Sequence, residues 1–312
     1  MNKAISTTRI NKTQLYSFDG RIIRSLFSNI DVAPSTRDNY KRRATRFLHF
    51  CKGNGLDLDT LLKYKQSLAA DTSIGVQAKN QYLTAAKIAL RQMYRRGYIP
   101  IDLSSDVKLF KQNKKHVVSG LTQDEVKIVS QYLRDNLPND HEHMRLRALV
   151  ALMLFQGLRQ CEIVRLKFAD FDMDNGTLRI RGKGRDDYEL VHLHPNCKKV
   201  LTYYIFSVTD WWLDSYLFRS REGHLKALTT RQVHRIIKEK LFKPLGISRR
   251  VHGFRHHFTT ELIKTSNGNL LEVAKFTRHR SLEMLQVYND DIETEKYLPT
   301  YYSTFKEKLV TS

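Results

Sequence analysis

The segment from Leu149 to Phe155 is apolar at every position, and this run most constrains how the chain can fold. A helix that is apolar on all sides has to be surrounded by other elements, because a surface helix keeps a polar face. We therefore expect it to be the central helix of a domain core. Gly157 is expected to end this helix, since glycine is favoured just past a helix C-terminus. Arg159 would then lie on a rigid turn beside the core.

The charge of the chain favours a polyanionic partner. Its 312 residues include 53 Lys and Arg and 32 Asp and Glu, for a formal net charge of +21. Nucleic acid or an anionic membrane surface would balance such an excess. No apolar run reaches the roughly 18 residues of a membrane span, and the N-terminus lacks an apolar signal region, which weakens the membrane alternative. Three scattered cysteines, Cys51, Cys161 and Cys197, favour a reducing, cytoplasmic location without disulfides.

Changes in hydrophobic pattern divide the chain into four parts. Residues 1–14 are polar and lack a clear period, which indicates a flexible N-terminal arm. Residues 15–107 have apolar side chains at helical spacing and predict a small all-helical domain. Residues 108–118 are basic and not amphipathic, as an interdomain linker would be, although a solvated loop explains them equally well. The second domain, 119–312, includes a C-terminal tail.

Basic residues concentrate on particular stretches of the helical pattern, mainly 37–46 and 91–96. A generic helical bundle with solvated charges is the ordinary explanation. The concentration slightly favours a DNA-facing surface, because Lys and Arg neutralise phosphates. The candidate DNA contacts are Arg37, Lys41, Arg42, Arg43, Arg46, Arg91, Arg95, Lys114, Lys115, Arg231 and Arg235.

The second domain combines helices with a small β-hairpin. Thr122 and Glu125 form a T-x-x-E pattern that predicts a capping box at its first helix. Two short strand-like segments flank a glycine-bounded tip, 181–185, which has Lys183 at its centre. The chain is therefore expected to be mainly α with a small β-hairpin or sheet, and its second domain is expected to be α+β.

The stretch from His252 to Tyr288 contains most of the residues that could carry chemistry. It begins HGFRHHF at residue 252 and continues through a helical run to His279 and Tyr288. His252 and Arg255, three residues apart, project from one face of a helix start. The planar guanidinium of arginine binds phosphate oxygens in pairs and stays protonated. Together these groups can surround one phosphate, although any one of 12 histidines or 15 tyrosines is more commonly an ordinary structural residue.

Three segments, in their order and spacing, resemble the tyrosine recombinase family of DNA strand-transfer enzymes, which includes phage integrases and Xer proteins. They are Gly157 to Glu162, the glycine-bounded tip, and 252–288. The resemblance implies a two-domain architecture, with a helical core-binding domain at 15–107 and an α+β catalytic domain. It also implies a site-specific recombinase that cleaves and rejoins DNA through a covalent 3′-phosphotyrosine intermediate, without metal, cofactor or ATP. Integration, excision and resolution share this chemistry, so the role within the family stays open.

The resemblance also implies a role for each residue of the motifs. Arg159 and Arg255 would bind the phosphate, and Tyr288 would be the nucleophile. Lys183 would be the general acid, since an ammonium group can donate a proton to a departing 5′-oxygen. His252 would be the base or a phosphate ligand. His279 would donate a hydrogen bond to the scissile phosphate.

Two supporting residues and one departure complete the comparison with the family pattern. Glu162 would hold the neighbourhood of Arg159 in place, and His256 would be a supporting, mainly structural residue. The family usually has Leu-Gly before the second histidine, whereas this chain has Thr277-Arg278 before His279. A side chain therefore stands where the family has a close backbone contact.

The resemblance further implies which partners the protein has. Its substrate would be a double-stranded DNA recombination site, bound by a monomer or dimer before four protomers assemble on two sites. The tail after Tyr288 would pack on a neighbouring subunit or on its own domain. An accessory DNA-bending protein is compatible with this scheme, as are a prokaryotic cytosol or nucleoid and a mobile genetic element.

Two other interpretations are weighed against this one. A catalytically decayed member of the same fold would bind DNA without cleaving it, but all six candidate catalytic residues are present. A metal site could use His192, His194 and Cys197, because alternation places both histidines on one face of a strand. An ordinary strand with two polar positions is the favoured explanation, since a fourth ligand is missing.

Overall fold

The computed structural model describes residues 25–105, 107–112, 120–182, 187–279 and 281–304. The chain divides into two compact units, Met1–Asn113 and Lys114–Ser312, and each has its own hydrophobic core. The predicted arm, most of the linker, Lys114, Lys115 and Lys183 lie outside the described residues. Over the described ranges, no helix is both long and apolar enough to cross a membrane.

Within the described residues, the first unit has three long helices: α1, Pro34–Asn54; α2, Thr60–Ala70; and α3, Val76–Arg95. Pro34 stands at the first turn of α1, where the missing N–H of proline removes no helical hydrogen bond. Helices α1 and α3 pack against each other around small and aromatic side chains. The rings of Phe47 and Tyr64 meet edge to face at 5.0 Å between centroids and join α1 to α2.

The second unit is mainly helical. Its helices are α4, Gln123–Asp135; α5, His141–Phe155; α6, Gln160–Ile163; α7, Pro195–Phe206; α8, Thr230–Ile237; α9, Gly253–Thr265; α10, Leu270–Thr277; and α11, Leu282–Thr304. The capping box predicted at Thr122 and Glu125 is confirmed at the start of α4. A π-helical turn, Lys238–Phe242, follows α8.

Helix α5 is the central helix of the second unit, as its apolar run predicts. Leu149 and Leu152 are fully buried, and α5 packs against α7 and α9. The helix ends before Gly157, which adopts a left-handed φ of +57°. A Cβ at this position would lie 2.3 Å from the ring of Phe258, so any other residue would clash with the ring and strain the backbone. The predicted helix end is therefore confirmed.

Two small antiparallel sheets accompany the helices in the described part of the second unit. The three-stranded sheet has the order β1, Phe171–Asp172; β2, Thr177–Arg181; and β3, Tyr188–His192. Leu178 pairs with Val191, so the predicted hairpin is confirmed up to its tip. Strands β4, Arg219–Ser220, and β5, Gly223–Ala227, form a second hairpin, which the sequence did not predict. The mainly α fold with small β elements is confirmed.

Candidate active site

Arg255 joins three segments of the second unit. The side chain projects from the first turn of α9 and is 3% exposed. Its Nη1 donates to the carbonyl of Gly157, and its Nη2 donates to the carbonyl of Thr277 at 2.6 Å. The turn after α5, the start of α9 and the end of α10 therefore meet at one guanidinium. Two of its five N–H groups are used in this way, which fixes its orientation.

Arg159 lies at the entrance to α6 and is held by Glu162. Its backbone N–H donates to Glu162 Oε2 and its Nη1 donates to Oε1, both at 2.8 Å. The carboxylate is 2% exposed, whereas the Arg159 side chain is 29% exposed. Burial alone would raise the pKa of Glu162, but the charge of Arg278 and the hydrogen bonds from Arg159 outweigh it and lower that pKa. Arg159 is thus rigid on one side and open to solvent on the other.

Arg255 is buried close to two other positively charged side chains. Burial, followed by the charges of Arg159 and Arg278, lowers the pKa of Arg255 to about 9. Because a guanidinium stays protonated in proteins, this environment holds a cation that is poorly solvated and repelled by its neighbours. A bound anion would relieve both effects, so the electrostatics of the site favour a phosphate.

His279 lies beside Arg255 as a neutral imidazole. Its Nδ1 is 2.8 Å from Thr277 Oγ1, and that hydroxyl donates to the carbonyl of Val273. The hydroxyl therefore accepts from Nδ1–H, which leaves Nε2 as the acceptor that faces Arg255 Nη2 at 3.4 Å. Burial, then Arg255 and Arg159, lower the pKa of His279 to about 3. This histidine carries no charge at neutral pH.

Tyr288 meets a histidine that the sequence did not single out as catalytic. The tyrosine projects from α11 and packs against the cluster of Ile263, Val273 and Leu285. Its hydroxyl contacts Nδ1 of His256, which is buried on α9 one turn after His252. Burial raises the pKa of Tyr288 to about 12, against the lowering effect of Arg255 and Arg159. The phenol is therefore protonated at neutral pH, and an imidazole nitrogen of His256 lies within hydrogen-bond reach of it.

His252 and His256 form a pair at the start of α9. His252 is exposed, and its ring lies edge to face against His256 with centroids 4.7 Å apart. Their i, i+4 spacing places both on one face of the helix. That spacing is the signal by which the sequence could have indicated a role for His256.

The candidate DNA contacts within the described residues differ in whether their side chains already bind other residues. Arg46 pairs with Asp71 at 2.7 Å and lies over the ring of Tyr82. Arg231 and Arg235 are exposed on α8. Their predicted DNA contacts stay predictions.

The segment considered for a metal site has structural roles. His194 accepts a hydrogen bond from the backbone of Asn196 at the start of α7, and its ring stacks on Phe155. Burial raises the pKa of the Cys197 thiol to about 12, which opposes the thiolate form that binds metals. His194 lies after the end of β3, so the prediction that both histidines share one face of a strand is wrong, and the contacts of His194 are structural ones at the start of α7.

Residues 119–295 match the sequence profile of the phage integrase family. The chain belongs to this family. The resemblance inferred from the three motifs is confirmed, and at the level of the family the chain is a tyrosine recombinase of site-specific DNA recombination. It is 26% identical over 296 residues to tyrosine recombinase XerC of Escherichia coli, covering 88% of this chain and 92% of that protein. XerC of Lactobacillus delbrueckii subsp. bulgaricus is 26% identical over 228 residues, covering 71% and 74%.

Solved structures of the family have the same fold. XerH bound to its palindromic difH substrate, in a post-cleavage complex, is similar with a TM-score of 0.67 and 18% identity, covering 92% of this chain and 84% of that one. A lambda integrase tetramer bound to a Holliday junction has a TM-score of 0.66 and 14% identity, covering 90% and 78%. At this level of identity the likeness extends to the fold alone.

Proposed function

We propose that this protein cleaves and rejoins DNA at a specific site through a covalent 3′-phosphotyrosine intermediate, without metal or ATP. The observation that carries the proposal is the meeting of Arg159, Arg255 and His279 in one strongly positive site with Tyr288 close by. These are the groups that phosphoryl transfer without a metal requires: fixed cations for the phosphate and a nucleophile with a base.

The arginines would bind the scissile phosphate. Arg159 offers an open edge while Glu162 fixes its other edge. Arg255 is oriented by two backbone carbonyls before any substrate arrives. Preorganised donors of this kind stabilise charge that develops in the transition state without reorganising during the reaction. His279 Nε2 faces Arg255 as an acceptor, so the hydrogen bond that it is predicted to donate to the phosphate requires the other tautomer, with the proton on Nε2.

The chemistry then proceeds as a balanced displacement. The Tyr288 oxygen attacks phosphorus, and the bond from phosphorus to the 5′-oxygen breaks. His256, which contacts the hydroxyl, accepts the phenolic proton in place of His252, the base that the resemblance implied. Lys183, outside the described residues, would supply the proton to the departing 5′-oxygen, as the resemblance implies. The phosphotyrosine ester retains the energy of the broken phosphodiester, so the reverse attack by a 5′-hydroxyl needs no ATP.

A nicked suicide substrate tests this function against the decayed alternative. The wild-type chain should form a covalent adduct with the DNA, and Tyr288→Phe should bind the same DNA without forming one. A wild-type protein that binds but forms no adduct would be the non-catalytic DNA-binding member. Mapping the adduct to a 3′-phosphate would establish the polarity of cleavage.

Assembly on DNA is the second part of the proposal. Lambda integrase is observed as a tetramer on a Holliday junction, and XerH is observed on its difH site. The shared fold supports a similar assembly of four protomers on two duplex sites for this chain. An accessory DNA-bending protein stays a prediction.

A further inference from the structure

Arg278 adopts a backbone conformation that disfavours a side chain. It follows α10 with φ 54° and ψ 39°, in the left-handed region. Asn267, with φ 50°, is the other residue besides glycines that has a positive φ in the described part of the chain. Asparagine tolerates this region because its short side chain can bond locally, whereas arginine has no such compensation. The strain at Arg278 therefore calls for a reason.

The Arg278 guanidinium is also buried. The side chain is 5% exposed, and its Nη2 lies 3.4 Å from Glu162 Oε2. Its Nη1 donates to the carbonyls of Gln156 and Phe276, at 3.3 and 3.2 Å. Its Nε has no hydrogen-bond partner among the described residues. Backbone strain, a desolvated charge and an unsatisfied donor are all unfavourable for stability, so stability alone does not explain this arginine.

Glu162 links Arg278 to the phosphate site. The same oxygen, Oε2, accepts from the backbone of Arg159, and Oε1 accepts from Arg159 Nη1. Arg159 and Glu162 alone would form a pair without net charge, which would attract phosphate only weakly. Arg278 on the same carboxylate adds a positive charge, which the charge of Glu189 offsets in part. Arg278 thus allows Glu162 to hold Arg159 without cancelling its charge.

We propose that Arg278 is a positioning residue of the phosphate site, which shares the buried Glu162 carboxylate with Arg159 and keeps the Arg159 clamp both fixed and cationic. This inference rests on the proposed function, because it assigns Arg278 to the site that binds the scissile phosphate. The alternative is that Arg278 only ends α10 and fills space near α6.

Asn267→Gly is a matched control for the test. Asn267 is exposed and uncharged, so glycine there changes only the backbone preference at a positive φ. Arg278→Gly makes the same backbone change and also removes the guanidinium. Arg278→Lys keeps the charge and loses the planar fork, which covers the case in which the glycine variant folds poorly.

The first measurement is the rate of adduct formation on a nicked suicide substrate at saturating DNA. Arg278→Gly should lower this rate by about 10²-fold, as expected when a catalytic group is misplaced by about 1 Å. Asn267→Gly should stay within about twofold, since surface changes away from the site have small effects. In a Glu162→Gln background, Arg278→Gly should have a smaller effect, because the two residues act through one contact. Wild-type rates in Arg278→Gly, or full additivity with Glu162→Gln, would overturn the proposal.

A second measurement does not depend on cleavage. Inorganic phosphate should raise the melting temperature of the wild-type chain and of Asn267→Gly, because a ligand of the folded state stabilises it. Arg278→Gly should lose part of this rise, and Arg278→Lys should recover some of it. If the wild type forms no adduct, the proposed function fails, yet the phosphate shift still decides the role of Arg278. Equal shifts in wild type and Arg278→Gly would refute it.

Discussion

His256 is expected to be the group that removes the proton from Tyr288. Burial raises the pKa of Tyr288 from 10.0 to about 12. At pH 8 the phenolate fraction therefore falls from about one in 10² to about one in 10⁴. An attack that relied on spontaneous ionisation would lose that factor of about 10². The contact between His256 Nδ1 and the Tyr288 hydroxyl offers a direct path for the proton instead.

Replacement of His256 by glutamine tests this role. Glutamine preserves a polar side chain but cannot take up the proton at neutral pH. Adduct formation by His256→Gln should be slower by about 10²–10⁴-fold at pH 7, the usual contribution of a general base. The residual rate should rise about tenfold per pH unit up to pH 10, because it follows the phenolate fraction below a pKa of about 12. The wild-type rate should rise less steeply with pH in this range, because the imidazole takes up the phenolic proton during the attack.

Single-turnover adduct formation on a nicked substrate between pH 6 and pH 10 measures both profiles, with His252→Gln in parallel. Site binding by each variant, measured separately, shows that the fold and the DNA surface are intact. A His256→Gln protein with the wild-type rate and pH profile would refute the reasoning. If only His252→Gln shows the steep pH profile, His252 is the proton acceptor and His256 only packs between α9 and Tyr288.

Three further predictions follow from the fold and the motifs. Lys183→Ala should cleave normal DNA slowly but should cleave DNA with a 5′-bridging sulfur at nearly the wild-type rate, because a thiolate leaves without a proton. If the sulfur does not restore the rate, Lys183 is not the general acid. Gly157→Ala should lower the free energy of unfolding by about 2–4 kcal/mol, because its Cβ meets the Phe258 ring in a left-handed turn. Gly246→Ala, also at positive φ but in open space, should lower it by about 1–2 kcal/mol in the same denaturation assay; equal losses would contradict the clash. Truncation after Asp291 should abolish synaptic tetramers but not site binding, and tetramers that persist in sizing experiments on DNA would show that the tail packs on its own domain.

The parts of the fold that depend on local pattern were predictable from the sequence. The apolar run Leu149–Phe155 predicted a buried helix and Gly157 predicted its end, and the structure has both. The hairpin of β2 and β3 followed from strand-like segments on both sides of a glycine-bounded tip. Each of these features is decided by residues within a few positions of one another.

The parts that depend on distant packing were not predictable. The contact between His256 and Tyr288 joins residues 32 positions apart and exists because α11 packs on α9. The burial of Arg278 against Glu162 spans 116 positions. From the sequence, Arg278 was only a departure from a family pattern, and no local rule indicated which carboxylate it would meet. The β4–β5 hairpin was missed because its strands are short and irregular.

Tyr288 lies near the start of the long helix α11, well before its far end. The tyrosine lies six residues after Leu282, or about 9 Å along the helix axis, whereas Leu298, just before Pro299, lies about 24 Å along it. If the helix pivots at its first turn as a rigid rod, a displacement at Leu298 is reduced nearly threefold at Tyr288. A partner bound at the far end would then change the distance between the nucleophile and phosphorus by less than the distance that the partner itself moves. With such a pivot, the length of this helix would make a movement at the far end larger than the accompanying movement of the nucleophile.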